Sequence, residues 1–282
     1  MKVVKPRSVE VAVISDVHLG TYGCHAKELL KYLKSIKPKT LILNGDIIDI
    51  WQFNKRYWPK SHMKVIKHLT GLISKGVRVI YITGNHDEML RKFDGFSMGS
   101  FEIVNKAILD LPTGKAWFFH GDVFDVTMQH SKWLARLGAI GYDTLIILNR
   151  LVNWCLFKLG RGRMSFSKKV KESVKGAIKF INNFEQTAAD IAISKEYKFV
   201  VCGHIHQPEK KKIGNSHGEV MYLNSGDWIE NLTALEYNDN KWSLYYYFRD
   251  TAIHNTLEDD EPSPKSKELF TQLVQEFNLV GA

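Results

Sequence analysis

Cysteine is scarce in this sequence, long apolar runs are absent, and acidic residues are outnumbered by basic ones. The 282 residues include three cysteines, Cys24, Cys155 and Cys202, far apart and with no CxxC pair. That spacing argues against a disulfide framework or a thiolate zinc site and fits a reducing compartment. The opening MKVVKPRSVEVAVISD is charged and then alternates, without an apolar core and small-residue cleavage site, so no signal peptide is read from it. The most hydrophobic stretch, Thr144–Phe157, is interrupted by Asn149, Arg150 and Asn153 and is too short to span a bilayer. A cytoplasmic location is therefore expected.

Hydrophobic residues make up 44% and charged residues 24%, which excludes disordered and fibrous classes. The net charge of +9 is uneven: residues 124–195 hold 12 Lys/Arg against 5 Asp/Glu, whereas the rest of the chain holds 27 against 25. A basic segment of this kind attracts polyanions such as nucleotides, nucleic acid or anionic lipid, or is simply a solvated face.

Short β-branched runs alternate with helical patterns in the first half. Strands are predicted at Val11–Ser15, Thr40–Leu43, Val77–Ile82 and Ala116–Phe119, and helices at Ala26–Ile36 and His62–Ser74. This repetition implies βαβ units and a buried sheet. Two long helical stretches, Trp133–Leu159 and Phe166–Ala192, then flank a break at Gly160–Arg163. Strands return at Phe199–Cys202, Val220–Leu223, Leu232–Tyr237 and Trp242–Tyr247, closely spaced and hairpin-like. The reading is one α/β sandwich: a core of residues 1–123 and 196–250, a helical insertion at 124–195, and a polar linker with a short helix at 251–282.

Metal-ligating residue types recur just after the strands. Asp16 and His18 follow the first, Gly45-Asp46 the second, Gly84-Asn85-His86-Asp87 the third, His120-Gly121-Asp122 the fourth and Gly203-His204-Ile205-His206 the fifth. Ligands bind at the carboxyl ends of strands in open α/β sheets, so five strands deliver these side chains to one edge. Each motif alone is weak, since a lone GD marks a turn and a lone HxH is more often a surface pair. Their convergence and order carry the argument.

The set resembles the calcineurin-like metallophosphoesterases, which carry D-x-H, G-D-x-x-D, G-N-H-[DE], a strand-end His and G-H-x-H in this order. The likeness runs from Asp16 to His206 and on to Asn224–Asp227. It implies a four-layer α/β/β/α sandwich holding two divalent ions. One would take Asp16, His18, Asp46 and His206; the other Asp46, Asn85, His120 and His204, with Asp46 bridging. The mixed O/N donor set suits Mn, Fe, Zn or Co, and the family's habit favours Mn. Asn85 and His86 are the implied catalytic side chains, with His86 stabilising phosphoryl charge or protonating the leaving oxygen. Asp87 and Asp122 are candidate orienters of the ligand imidazoles, or ordinary loop caps.

Within the family, GDIIDIW at Gly45–Trp51, the insertion and its basic stretch are similar to UDP-2,3-diacylglucosamine diphosphatases, bacterial enzymes of lipid A biosynthesis that release UMP. That likeness implies a lipid-linked nucleotide diphosphate substrate, phosphate contacts from Arg161, Arg163, Lys168 and Lys171, and peripheral contact with the inner membrane. The insertion could equally be a self-packed hairpin with its lysines in water. One departure stands out, because that group carries arginine after the motif asparagine where this chain has His86. A nuclease or cyclic-nucleotide phosphodiesterase of the same superfamily is the alternative. Nucleic acid is disfavoured as a partner because the insertion is so apolar, and a non-catalytic metal-bound scaffold because the ligand set is intact.

Overall fold

The alternation of side chains along the central strands produces the layering. Ala12 and Ile14 of the first strand face one apolar cluster while Val11 and Val13 face another; Leu41 and Leu43 divide from Ile42 in the same way, as do Val79 and Tyr81 from Ile80 and Ile82. A strand that is apolar on both faces must be covered on both. The computed structural model describes residues 6–50, 57–124 and 181–254, and in these the cover is a helical layer on one side and a second sheet on the other.

The strands are β1 (Arg7–Ile14), β2 (Ile36–Asn44), β3 (Arg78–Ile82), β4 (Ser97–Met98), β5 (Phe101–Val104), β6 (Lys106–Leu111), β7 (Gly114–Phe119), β8 (Phe199–Cys202), β9 (Glu209–Asn215), β10 (Gly218–Asn224), β11 (Thr233–Asn238) and β12 (Lys241–Tyr246). The helices are α1 (Ala26–Ser35), α2 (Lys60–Ser74), α3 (181–194) and α4 (Thr251–His254). The first sheet runs β12-β11-β1-β2-β3-β5-β4 and the second β6-β7-β8-β10-β9. Helices α1 and α2 bury Leu29, Leu33, Val65 and Leu69 on the outer face of the first sheet. Phe118, Val201 and Leu223 meet the first sheet between the two. Phe184, Ala188, Ala189 and Ala192 of α3 pack on the outer face of the second sheet with Phe119, Val200 and Tyr222. The four-layer α/β/β/α sandwich is thus present, with α3 forming its fourth layer. The expected helices at Trp133–Leu159 and the start of Phe166–Ala192 lie outside the described residues.

The expected strands are all present: β8 has the expected bounds, β3 starts one residue later, β11 and β12 are shifted by one, and β1, β2, β7 and β10 are longer. Strands β4, β5, β6 and β9 were not anticipated. Strand β9 reads EKKKIGN and forms an edge, where lysines face water and protect against edge-to-edge pairing. The late strands also divide between sheets. β11 and β12 form a hairpin that joins β1 antiparallel, whereas β10 pairs parallel with β8 and antiparallel with β9.

Parallel registers align the strand ends. Ile14 pairs with Leu43, Asn44 with Ile82, Phe118 with Val201 and Asn224 with Cys202. The residues that follow those ends therefore share one edge of the sandwich.

Because Phe184 is fully buried against Phe124, its ring centroid 5.4 Å away, Phe184→Ala is expected to cost about 3–5 kcal/mol in urea unfolding. A cost below ~1 kcal/mol would show that α3 is not part of the cooperative core.

Candidate metal centre

The loops after β1, β2 and β8 turn sharply. Asp16 (φ 51°), His18 (φ 52°), Asp46 (φ 54°), His204 (φ 66°) and His206 (φ 54°) all have left-handed backbone, and they are five of the nine such non-glycine residues among those described. Asp and His tolerate this region better than most side chains, yet each instance still costs about 1 kcal/mol or more. What holds the turns is cross-bracing. Asp16 N–H donates to Gly45 O at 3.1 Å and His18 N–H to Asp46 O at 2.9 Å. The Asn44 amide donates to Phe119 O at 3.2 Å, and Asn44 O accepts from His120 Nδ1 at 2.9 Å, joining the two sheets.

Six of the seven expected ligands fall into groups able to hold a cation: Asp16, His18 and His206; Asp46, His120 and His204; and a third made of His18, Asp46 and His86, with ligand atoms within 4.8 Å of one another in each group. The seventh, Asn85, has its Oδ1 buried with no hydrogen-bond partner.

The tautomers decide what the groups can bind. A carbonyl only accepts, so His120 Nδ1 carries the proton toward Asn44 O. Likewise the Asp49 carboxylate, 3.1 Å from His18 Nδ1, fixes the proton there. In a neutral ring each Nε2 is then a lone pair, and both are buried with no hydrogen-bond partner, His120 Nε2 3.2 Å and His18 Nε2 3.9 Å from Asp46 Oδ2. His206 Nε2 lies 3.2 Å from Asp16 Oδ1, while its Nδ1 faces Asp227 Oδ2 at 3.4 Å. Acceptors set against acceptors in a largely buried site call for a cation between them, and these oxygen and imidazole donors fit a divalent one.

The orienting groups differ from those expected. Asp49, Asp227 and the Asn44 carbonyl hold the imidazoles. Asp49 holds two, since His86 Nδ1 is also 2.9 Å from its Oδ2 and the His86 ring stands edge-on to His18 with centroids 4.6 Å apart. Asp87 instead braces backbone: it accepts from Gly84 N–H at 2.6 Å, Ile47 N–H at 3.0 Å and Tyr81 OH at 2.5 Å, tying the β2 and β3 loops together. Asp122 pairs with Arg91. The signals for Asp49 and Asp227 were present in the sequence as the last positions of GDIID and NSGD. Arg161, Arg163, Lys168 and Lys171 lie outside the described residues.

Electrostatics follow from this packing. Burial alone would raise the Asp46 carboxyl, but His120, His18 and His86 hold it well below the usual carboxylate range. Asp16 is lowered against its burial by His206 and His120, and Asp227 by His206 and the N–H groups of Asn231 and Glu230. Burial opposes charge on His120, yet Asp46 and Asp16 push it up to about 10. His86 is raised, against burial, by Asp49 and Asp46. Burial pushes the Cys24 thiol up to about 12 and Cys202 well above its ordinary value, and neither thiol joins the groups able to hold a cation.

Residues 9–208 match the family model described as calcineurin-like phosphoesterase. The chain belongs to that family. It is a metal-dependent hydrolase by its membership and by its His/Asp clusters. Among curated proteins it is similar to the UDP-2,3-diacylglucosamine hydrolase of Aliivibrio fischeri (strain MJ11), at 24% identity over 83% of this chain and 97% of that one. The protein of the same name from Blochmanniella pennsylvanica (strain BPEN) is 26% identical over 84% of this chain and 96% of that one. Solved structures that it resembles include an archaeal phosphodiesterase, with 13% identity, 84% and 98% coverage and a TM-score of 0.42, a likeness too distant to argue from.

Two predictions follow from the geometry of this phosphoesterase. A Cβ on Gly84 would stand 2.2 Å from Asp46 Oδ1 and 2.9 Å from His120 Cδ2. Gly84→Ala should therefore weaken metal affinity by about 10–100-fold, measured by calorimetric titration; unchanged affinity would mean Asp46 does not hold metal. In chelator-treated protein, charged His120 contributes stability that is complete below about pH 6.5 and disappears as pH rises toward 10. Melting temperature should fall across that window without metal, and a flat profile would contradict the Asp46–His120 contact.

Proposed function

We propose that this phosphoesterase hydrolyses the pyrophosphate of UDP-2,3-diacylglucosamine, or of a closely similar lipid-linked nucleotide diphosphate, releasing UMP and a lipid sugar phosphate in lipid A biosynthesis. The observation that carries this reading is the reach of the curated relatives. They align over more than four fifths of this chain and nearly all of their own length, and they share one printed name. A fragmentary match to the metal motifs alone would have supported only the superfamily.

In the proposed site, Asp16, His18, Asp46 and His206 hold one divalent ion, and Asp46, Asn85, His120 and His204 the other, Mn being the favoured metal. Such a pair supplies an activated water and positive charge for the phosphoryl oxygens. The protein's own part is to fix the imidazole tautomers through Asp49, Asp227 and Asn44 O, and to present His86 to the leaving oxygen. His86 Nδ1 is held by Asp49, and a carboxylate partner favours the protonated imidazole that a proton donor requires. The basic insertion, with Arg161, Arg163, Lys168 and Lys171, is proposed to receive the phosphates and acyl chains. Among the described residues no helix is long and apolar enough to cross a membrane. The lipid substrate is therefore proposed to be met by peripheral contact with the inner membrane surface.

Metal-loaded protein should cleave UDP-2,3-diacylglucosamine at least ~100-fold faster than a soluble UDP-sugar, in proportion to the binding energy of two acyl chains. Equal rates on the soluble compound, or preferential cleavage of single-stranded DNA or a cyclic nucleotide, would replace this substrate with the alternative. Asp46→Ala should abolish turnover of bis-p-nitrophenyl phosphate and lower bound metal; full metal content would show that Asp46 does not bridge.

A further inference from the structure

The outer helical layer carries a charge pattern that the hydrolytic centre does not use. Helix α1 places Lys27, Lys31 and Lys34 at i, i+4 and i+7, and α2 repeats the spacing with Lys60, Lys64 and Lys67. Residues so spaced fall on one stripe of a helix. Each stripe lies opposite the face that buries Leu29 and Leu33 on α1 and Val65 and Leu69 on α2. The two helices pack side by side on the same face of the first sheet, so the stripes form one surface. Against these six lysines the two helices hold a single acidic residue, Glu28, which is turned to His25 at 3.6 Å. Like charges at i, i+4 spacing destabilise a helix, and a surface of one sign draws a polyanion.

The chain itself carries one. After β12 the polypeptide comes to rest against α1 through α4. Asp250 fixes that short helix by accepting from the N–H groups of Ala252 at 3.1 Å and Ile253 at 3.2 Å. Ile253 is 3% exposed, buried in the same apolar cluster as Leu29, Leu30 and Leu33. The described residues end one position later, at His254. Four residues on, the sequence reads Glu258-Asp259-Asp260-Glu261, its longest acidic run, closed by Pro262. Four to seven residues span at most ~14–25 Å. Helix α1, with its ten residues, is ~15 Å long, and packed helices stand ~8–10 Å apart. From its anchorage beside α1 the acidic run therefore reaches either lysine stripe.

We propose that the lysine face of α1 and α2 is the docking surface of this chain's own acidic segment, Glu258–Glu261, which lies across the helical layer as an electrostatic clasp. The segment neutralises the repulsion along both stripes and masks the face, so that an anionic bilayer gains it only by displacing the segment. Contacts between charges at a protein surface are screened by salt, with a Debye length of ~10 Å at 0.1 M and ~3 Å at 1 M. The clasp is accordingly salt-sensitive. It uses neither the metal ions nor the substrate reading.

The test is zero-length carbodiimide cross-linking of the full-length protein, which joins a carboxylate to an ammonium only where the two touch, read by peptide mass spectrometry. Cross-links from the 258–261 peptide to the lysines of α1 or α2 are expected at low salt and should fall ~10-fold at 1 M salt. Their absence at low salt, or cross-links from that peptide only to lysines of residues 124–195, would overturn the assignment. In a mixture of ¹⁵N-labelled and unlabelled protein the joined peptides should carry like labels; a statistical share of mixed pairs would put a second copy's segment on the face and equally overturn it. Masking is read on vesicles of phosphatidylcholine and phosphatidylglycerol. The variant Glu258→Gln/Asp259→Asn/Asp260→Asn/Glu261→Gln should bind them about ten-fold more tightly than the parent, and the gain should vanish when all six lysines are replaced by glutamine. An equal gain in both lysine backgrounds would reduce the effect to net charge and remove the clasp.

Discussion

Buried acceptors that face one another are the constraint on which this structure depends. Asp46 is 2% exposed, with Oδ1 taking the His86 N–H and Oδ2 turned to the Nε2 atoms of His120 and His18. Asp16 is fully buried, receives the His204 N–H through both oxygens and faces His206. Two carboxylates and several imidazole lone pairs concentrated this way would be expelled from an ordinary interior, because each uncompensated buried charge costs several kcal/mol. They stay because the surrounding sandwich is rigid and because positive charge is recovered at the centre. A proton on His120 supplies some of it, and divalent cations supply it in full.

That rigidity comes from the two sheets being bound together at the edge that carries the ligands. Asn44 spans them through its amide and its carbonyl, Ser15 Oγ meets Ser225 Oγ at 2.7 Å, and the His204 N–H donates to Asp16 Oδ2 at 3.1 Å. Five left-handed ligand residues at about 1–3 kcal/mol each would consume much of the net stability of a domain, about 5–15 kcal/mol. Three apolar interlayer clusters offset this cost. Glycine enters where nothing larger fits: at Gly45, φ 85°, a Cβ would lie 2.2 Å from His120 Nδ1. The strain and the packing are thus two halves of one arrangement, since the turns that aim the ligands persist only because the layers behind them over-determine the backbone.

Much of this was legible in the sequence for a simple reason. Metal chemistry accepts few residue types, and parallel strands put them at predictable places, so the candidate ligands Asp16, His18, Asp46, His120, His204 and His206, which the structure brings together, were proposed from strand ends. The buried central strands were equally plain, being apolar on both faces. What escaped was whatever depends on tertiary partners. β9 is an edge and reads as a charged loop. Helix α3, within the stretch read as an insertion, shows the core a face of Phe184, Ala188, Ala189 and Ala192 that is too small-residued to stand out. Asp49 and Asp227 meet imidazoles whereas Asp87 braces backbone and Asp122 pairs with Arg91, a division set by tertiary placement, and a motif that lists all four as Asp near a ligand does not rank them.

The division between chemistry and selectivity follows from the same geometry. The imidazoles of His18, His120 and His206 are each tied to a partner that is itself buried, so a change at Asp49, Asn44 or Asp227 disturbs the candidate metal centre first. The residues free to vary lie one step out, on the connections that leave the ligand loops. Asp87 anchors the backbone of the β2 and β3 loops, and immediately after it the chain runs outward through a short 3₁₀ helix, Glu88–Phe93, that carries Arg91 to Asp122. Exchange of Arg91 or Asn105 would reshape the cavity that they line beside His120 while leaving the cross-braced turns intact. The bonds that hold the centre and the walls of the neighbouring cavity share His120 and little else, so the shape of one can change without the other.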